Sequence, residues 1–141
     1  ATWLAATCAS SSPSVELVED THAVHAGDAT TIVVKRGAVS ETFAAHTVTT
    51  EARDGAIESA VVTLDATRTF TTGDDVKADA FDLETVALHE LGHALGLAHP
   101  IALNVPHDVV MRAGAKPGKK LRALSRDDVA GLCAIVSNVS K

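Results

Sequence analysis

Three histidines and one glutamate occupy a short stretch of the 141-residue chain, at spacings that suit metal binding. His89 and His93 are four residues apart, so on a helix both imidazoles project from one face on successive turns. His99 lies six residues further on, and Gly96 allows the chain to turn back toward the helix, because glycine readily adopts the left-handed conformation that ends one. Three neutral imidazoles with a fourth position left for water are typical of catalytic zinc.

Glu90 supplies a group that a purely structural metal site does not need. It is adjacent to His89 on the same predicted helix, so its carboxylate can reach a water at the metal without being a ligand itself. Zinc lowers the pKa of such a water toward about 7, and a nearby carboxylate can take its proton during attack on a carbonyl carbon. The pattern therefore predicts amide hydrolysis by Glu90 and a zinc-activated water. The alternative is that these are ordinary surface or core residues of a helix.

The elements that must position these residues follow from periodicity. Alternating or β-branched residues predict strands at 15–19, 30–35, 43–50 and 57–64. Asp82 is a good N-cap for a helix that carries the motif and ends near Gly96. After a long irregular segment at 98–124, Ser125 and Asp128 form a predicted capping box for a last helix. Strands first and two helices later predict a single α+β domain over residues 1–141.

Composition and charge argue against several classes of function. Hydrophobic residues make up 46% of the chain and charged residues 21%, values typical of a soluble globular protein. The formal net charge of −6 argues against a nucleic-acid partner, which normally requires a basic face. No apolar run approaches the ~20 residues that cross a bilayer. We therefore expect no membrane association, and we expect a monomer.

The segment HELGHALGLAH, residues 89–99, resembles the zinc motif of the metzincin clan, and within it the matrixins, the matrix metalloproteinases and their bacterial relatives. The single methionine, Met111, follows as the methionine of the family's Met-turn does, and residues 124–132 resemble the start of its C-terminal helix. Residues 55–65 are similar to the antiparallel edge strand against which extended substrates pair. The resemblance, strongest over 82–136 and to the bacterial type, implies a twisted mixed sheet, an active-site helix, a Met-turn and a C-terminal helix.

The resemblance also implies an activity. It suggests a secreted zinc endopeptidase acting on protein or peptide substrates, with zinc on three ligands and one catalytic residue: His89, His93 and His99, and Glu90. It further implies that the chain begins inside the family's first helix, without the first strand. Two alternatives stay open, a catalytically inactive zinc-containing module that binds protein and a zinc hydrolase of a non-peptide substrate.

An exported enzyme would favour a disulfide between Cys8 and Cys133, the two cysteines of the chain, because disulfides persist in oxidising compartments. Two buried free thiols are the alternative. Four acidic residues could supply oxygen ligands to a calcium ion, although their spacing matches no recognised calcium loop: Asp74, Asp75, Asp79 and Asp82.

The resemblance also extends to finer features. In matrixins the residue after the methionine lines the pocket for the substrate side chain just past the cut, and here it is Arg112, followed by further basic residues: Lys116, Lys119, Lys120 and Arg122. The hypothesis is that this subsite disfavours basic side chains and tolerates polar or acidic ones, and the alternative is an apolar pocket behind a solvated basic loop.

Two acidic residues and the remaining histidines complete the predictions. The resemblance suggests that one of Asp127 and Asp128 ties the last helix to the Met-turn and that the other binds an N-terminal ammonium. The simpler alternative is that both stabilise the N-terminus of the last helix by their negative charge. The other four histidines are expected to be ordinary polar residues, without a second zinc: His22, His25, His46 and His107.

Overall fold

The computed structural model describes Trp3, Cys8 and residues 15–19, 30–40 and 42–139. Strands precede helices, which confirms the predicted α+β class. The elements are β1 (Val15–Glu19), β2 (Thr30–Gly37), β3 (Ala45–Glu51), β4 (Ile57–Asp65), β5 (Phe70–Thr71), β6 (Phe81–Asp82), α1 (Leu83–Ala94) and α2 (Arg126–Val139).

Four of the strands form one mixed sheet, as the resemblance implied. The strand order is β1-β2-β4-β3. The β1–β2 and β2–β4 pairs are parallel, and β3 runs antiparallel to β4. The two short strands β5 and β6 pair in parallel with each other, and β6 leads directly into α1.

The prediction that residues 55–65 form the antiparallel edge strand is wrong. That segment contains β4, which lies inside the sheet and is paired with β2 on one side and β3 on the other. The β-branched composition of β4 is typical of a strand paired on both sides, and alternate residues from Ala60 to Leu64 are buried. Among the described strands, the antiparallel edge is β3, along which exposed and half-buried residues alternate.

Helix α1 is buried on two sides. Its predicted N-cap is confirmed, because the Asp82 carboxylate accepts a hydrogen bond of 3.1 Å from the backbone N–H of Thr85. On one side α1 packs in a cluster with the sheet: Ile32, Ala44, Ala45, Ala60, Val62, Leu64, Phe81, Val86 and Ala94. On the other side lies a second cluster: Trp3, Leu88, Val109, Val110, Met111 and Leu132. Packing from both sides fixes the directions in which α1 projects its polar side chains.

The segment between the two helices is irregular, as predicted, and α2 closes the fold behind it. Ser125 and Asp128 form the predicted capping box, with the Asp128 N–H donating to Ser125 Oγ at 3.2 Å and the Ser125 N–H donating to Asp128 Oδ2 at 2.8 Å. Cys133 of α2 is disulfide-bonded to Cys8, which confirms that pairing over two free thiols. Within the described residues, neither helix combines the length and apolar character that a membrane span needs.

Candidate active site

The three histidines of the motif meet at one point, and we refer to them as the triad. His89 and His93 project from successive turns of α1, and His99 reaches them from the loop beyond the helix. Their Nε2 atoms lie 3.1 Å apart for His89 and His93, 3.1 Å for His89 and His99, and 3.0 Å for His93 and His99. Nitrogen ligands placed tetrahedrally about 2.0–2.1 Å from zinc lie roughly 3.3 Å apart. The triangle therefore has close to the size that one zinc ion requires.

Backbone carbonyls fix the proton on two of the triad's rings. Nδ1 of His89 lies 2.7 Å from the carbonyl oxygen of Val110, and Nδ1 of His93 lies 2.7 Å from that of Leu97. Because a carbonyl only accepts, each Nδ1 carries the proton and donates it. Two neutral rings then face each other with Nε2 lone pairs, which cannot hydrogen-bond one another. A shared cation resolves this arrangement, so the residues present fit a metal ion.

Burial keeps two of these rings in the form that binds metal. Burial is the largest cause of the lowered pKa of His89, and it outweighs the hydrogen bond to the Val110 carbonyl, which raises that pKa. Burial is also the main cause of the lowered pKa of His99, which the neighbouring His93 and His89 lower further. Both shifts favour neutral imidazole, the form whose lone pair can bind a metal.

Gly96 ends α1 in the predicted way and redirects the chain toward the triad. Its φ of +94° lies in the left-handed region that favours glycine. Its N–H donates to the carbonyl of His93 at 2.9 Å, and the N–H of Leu97 donates to that of Gly92 at 3.0 Å. These bonds satisfy the last helical carbonyls. The turn thereby places the Leu97 carbonyl against His93 and lets His99 approach from the side.

The turn around Met111 (residues 109–112) contacts α1 at Gly92 and the triad at His89. Met111 is 2% exposed, and its sulfur occupies the space that a side chain at Gly92 of α1 would need. The Asp128 carboxylate accepts hydrogen bonds of 3.0 Å from the backbone N–H groups of both Val110 and Met111. Asp128 is therefore the residue that ties the last helix to the Met-turn. It also fixes the Val110 carbonyl that orients His89.

Glu90 is buried, at 5% exposure, and is held by a residue that sequence reasoning missed. Oγ1 of Thr47, on β3, lies 2.5 Å from Glu90 Oε2 and 3.2 Å from the Glu90 carbonyl oxygen. The hydroxyl has one proton, and the shorter, charge-assisted contact is the stronger bond. The contact anchors one carboxylate oxygen against the sheet. The only sequence signal for Thr47 is the alternation along β3, and that alternation does not reveal where α1 crosses the strand.

Two cavities share His89 of the triad in their walls. The first, of about 530 Å³, is lined by the triad, Glu90 and residues along β3, and we call it the triad cavity. The second, of about 410 Å³, lies between the turn around Met111 and the basic segment that follows, and we call it the basic cavity. Both are lined by His89, Gly114 and Ala115. The two cavities are therefore adjacent at these three residues.

The other histidines do not join the triad, which is the metal-capable cluster found among the described residues. His46 is exposed on β3 and lines the triad cavity. His107 accepts a hydrogen bond of 2.6 Å from Nη1 of Arg112 through its Nδ1. His22, His25 and the N-terminal ammonium considered as a partner for an aspartate lie outside the described residues.

Two of the four carboxylates considered for calcium bind Arg122 instead. Asp82 is 1% exposed and accepts hydrogen bonds from Arg122 at 2.9 and 2.6 Å, and Asp74 Oδ1 lies 3.3 Å from Nη1 of Arg122. The hydrogen bond from Arg122 is the largest cause that lowers the pKa of Asp82 to about 2. The four carboxylates also do not gather around one point, because the triad is the metal-capable cluster found among the described residues.

Comparison with known proteins finds three plant metalloendoproteinases that are similar to part of this chain. Metalloendoproteinase 1-MMP of Arabidopsis thaliana is 43% identical over 72 residues, which cover 49% of this chain and 19% of that protein. Metalloendoproteinase 4-MMP of the same plant is 45% identical over 53 residues, or 38% of this chain and 14% of the relative. Metalloendoproteinase 1 of Glycine max is 42% identical over 53 residues, covering 38% and 16%. The match therefore spans less than a fifth of the length of each relative.

The family profile Peptidase_M10, described as matrixin, matches residues 35–136. That span runs from the end of β2 through the edge strand, the triad and the turn around Met111 into α2. The match covers most of the chain and includes the elements that assemble the site. By this match and the fold that accompanies it, the chain belongs to the matrixin family of peptidases.

Proposed function

We propose that this chain is a zinc-dependent endopeptidase domain that cuts protein or peptide substrates. The observation that carries the proposal is the triad, in which three Nε2 atoms converge at 3.0–3.1 Å while carbonyls hold the protons of two rings on Nδ1. His89, His93 and His99 would hold zinc through these atoms. Zinc, when bound, acidifies water and polarises a substrate carbonyl.

Glu90 serves as the general base of this reaction. Its carboxylate follows a ligand directly in α1, so it takes a proton from the attacking water and passes it to the leaving amine. Thr47 is a positioning residue, because its hydroxyl holds Oε2 of Glu90 and so restricts the rotation of the carboxylate. A base that is already oriented loses little freedom when the reacting geometry forms.

The edge strand β3 aligns the substrate. Among the described strands it pairs on one side only, with β4, so its other side offers backbone N–H and C=O groups to an extended peptide. The triad cavity follows this strand past Glu90. This placement replaces β4, which the sequence had suggested as the strand for substrate.

We further propose that residues 1–141 act as one exported, monomeric domain. The Cys8–Cys133 disulfide supports export, because such bonds persist in oxidising compartments. The net charge of −6 gives no basis for a nucleic-acid partner. We leave calcium out of the proposed site, because the four carboxylates considered for it form no metal-capable cluster among the described residues.

Two other functions remain as outcomes of the test. An inactive module that binds protein would have no use for a buried, oriented carboxylate beside the metal ligands, so Glu90 favours hydrolysis. A hydrolase of a small molecule would have no use for an edge strand with one open side next to the triad, so β3 favours a peptide substrate.

The test is cleavage of casein and of a mixed peptide library by the zinc-loaded protein, with and without a chelator. We expect cleavage inside the peptides that stops on chelation and returns with zinc. Zinc bound at one per chain without chelator-sensitive cleavage would favour the binding module. Hydrolysis of small esters or amides with intact peptides would favour the non-peptide hydrolase.

A further inference from the structure

Positive charge is concentrated around the basic cavity, although the whole chain carries a formal charge of −6. Residues 112–122 contain five basic residues and no acidic one. Four of these basic residues line the basic cavity, and none of its lining residues is acidic. They are Arg112, Lys116, Lys119 and Lys120. The lining of this cavity is therefore positively charged, whereas the protein as a whole is negatively charged.

Internal partners account for only part of this charge. Lys120 donates to the carbonyl of Asp74 at 2.8 Å and lies 3.9 Å from its carboxylate. Within the part of the chain that the structure describes, no ion pair joins a carboxylate to Arg112, Lys116 or Lys119. Arg112 instead donates to His107, which also lines the cavity, so its guanidinium is held at the cavity wall. Three cations therefore remain for an outside anion.

Most of the remaining lining of the basic cavity is apolar, and the polar residues there are Thr85, His89 and His107. Val109 and Val110 are buried at 1% and 3% exposure, and Leu121 is half-buried. The volume of about 410 Å³ leaves room for a whole side chain. Apolar walls combined with unpaired cations suit a side chain with a methylene stem and a negatively charged end, which describes glutamate.

We propose that the basic cavity selects substrates with an acidic residue, glutamate above all, next to the cleaved bond. This rests on the proposed function, since the cavity meets the triad at His89. A carboxylate reaching Arg112, Lys116 and Lys119 makes charge-assisted hydrogen bonds. A lysine at the same place meets like charges and is rejected.

The test uses four peptide series that differ only in the residue on one side of the cleaved bond: glutamate, glutamine, lysine or leucine, with each side varied in turn. On the side whose residue enters the basic cavity, we expect kcat/KM for glutamate to exceed that for its neutral isostere glutamine by about tenfold. The value for lysine should lie below that for glutamine. The preference should shrink in high salt, which screens charge.

Variants locate the preference. Arg112→Gln and the double variant Lys116→Gln with Lys119→Gln should each move the glutamate-to-glutamine ratio toward one. Lys35→Gln, which removes an exposed lysine on β2 outside both cavities, should leave the ratio unchanged. The ratio compares two substrates of the same preparation, so partial misfolding does not alter it.

Each outcome decides one idea. Cleavage of the leucine peptides without a glutamate preference, or a preference that survives both cavity variants, overturns this inference and leaves the peptidase standing. Failure to cleave any peptide overturns the proposed function, and the inference falls with it.

Discussion

The two ends of helix α1 are stabilised by different kinds of interaction. At the N-terminal end the buried Asp82 caps the helix and pairs with Arg122, which also lies 3.3 Å from the carboxylate of Glu84. Toward the C-terminal end His89 and His93 are oriented by two backbone carbonyls at 2.7 Å. The first arrangement relies on charge and the second on neutral hydrogen bonds.

The difference separates stability from chemistry. An acidic residue is favourable at a helix N-terminus because of the helix dipole, and nothing at that end has to change its charge. Metal-binding imidazoles must stay neutral with free lone pairs, and carbonyl acceptors achieve this by fixing the proton on Nδ1.

The largest effect is expected from Glu90→Gln. Glutamine keeps the shape and can still accept the Thr47 hydrogen bond, but it cannot take a proton, so kcat should fall by about 10²- to 10⁴-fold. Zinc content and melting temperature should not change. Glu58→Gln, which alters an exposed glutamate on β4, is the control and should keep full activity. An active Glu90→Gln enzyme would remove Glu90 from the mechanism.

Loss of the Cys8–Cys133 disulfide is expected to cost the most stability. The bond joins residues 125 apart, and in the chain-entropy model closing so long a loop contributes about 4–5 kcal/mol. The double alanine variant should lose that amount in denaturant unfolding. Amide exchange should accelerate more in α2 and around Met111 than at the start of α1. A loss below about 1 kcal/mol would contradict the chain-entropy estimate.

Asp82→Asn should weaken the charged end without affecting the triad. The pKa of Asp82 is lowered from 3.8 to about 2, first by the hydrogen bond from Arg122. A depressed carboxylate stabilises the fold fully above its unfolded pKa, and the contribution is lost as pH falls from about 3.8 through about 2. With Arg122 partly exposed, screening leaves about 1–2 kcal/mol.

The pH dependence isolates this residue. Denaturant unfolding from pH 6 to 2 should show the wild type more stable than Asp82→Asn at pH 6 and a gap that narrows toward pH 2. Asparagine still caps a helix well, so the N-cap itself is preserved. A gap that does not change with pH would show that the charge of Asp82 contributes nothing.

The smallest effect is expected at Thr47. Thr47→Val keeps the shape and removes the hydroxyl that holds Glu90, so kcat should fall by about 3- to 10-fold, with KM little changed, as expected for one hydrogen bond of about 1 kcal/mol. Thr47→Ser restores the hydroxyl and should restore kcat. A parallel loss in the serine variant would point to packing on β3 instead.

Features set by neighbours in sequence could be predicted, and those set by distant pairing could not. The spacing of His89 and His93, the turn at Gly96 and the caps at Asp82 and Ser125 all depend on residues within one or two helical turns, and all are present as expected. The edge strand shows the opposite case, because the sequence suggested β4 for that position and the structure has β3 there. Both segments have strand periodicity, and only the pairing of distant segments decides which one lies at the edge.

Two long-range contacts of α1 and its N-cap follow the same rule. Thr47 meets Glu90 across 43 residues of sequence, and Arg122 meets Asp82 across 40. No periodicity links such residues, because their contact depends on how α1 crosses the sheet and how the basic segment folds back. The residue after the methionine could be named from the sequence, but the cavity beside it, with its unpaired cations, required the fold.

The most direct test of the account is zinc X-ray absorption spectroscopy on the protein loaded with one zinc per chain. The account predicts three imidazole nitrogens at about 2.0–2.1 Å and one oxygen ligand, with one imidazole fewer in His99→Ala. A spectrum that fits sulfur ligands or fewer than three imidazoles, or a His99→Ala spectrum identical to that of the wild type, would contradict it.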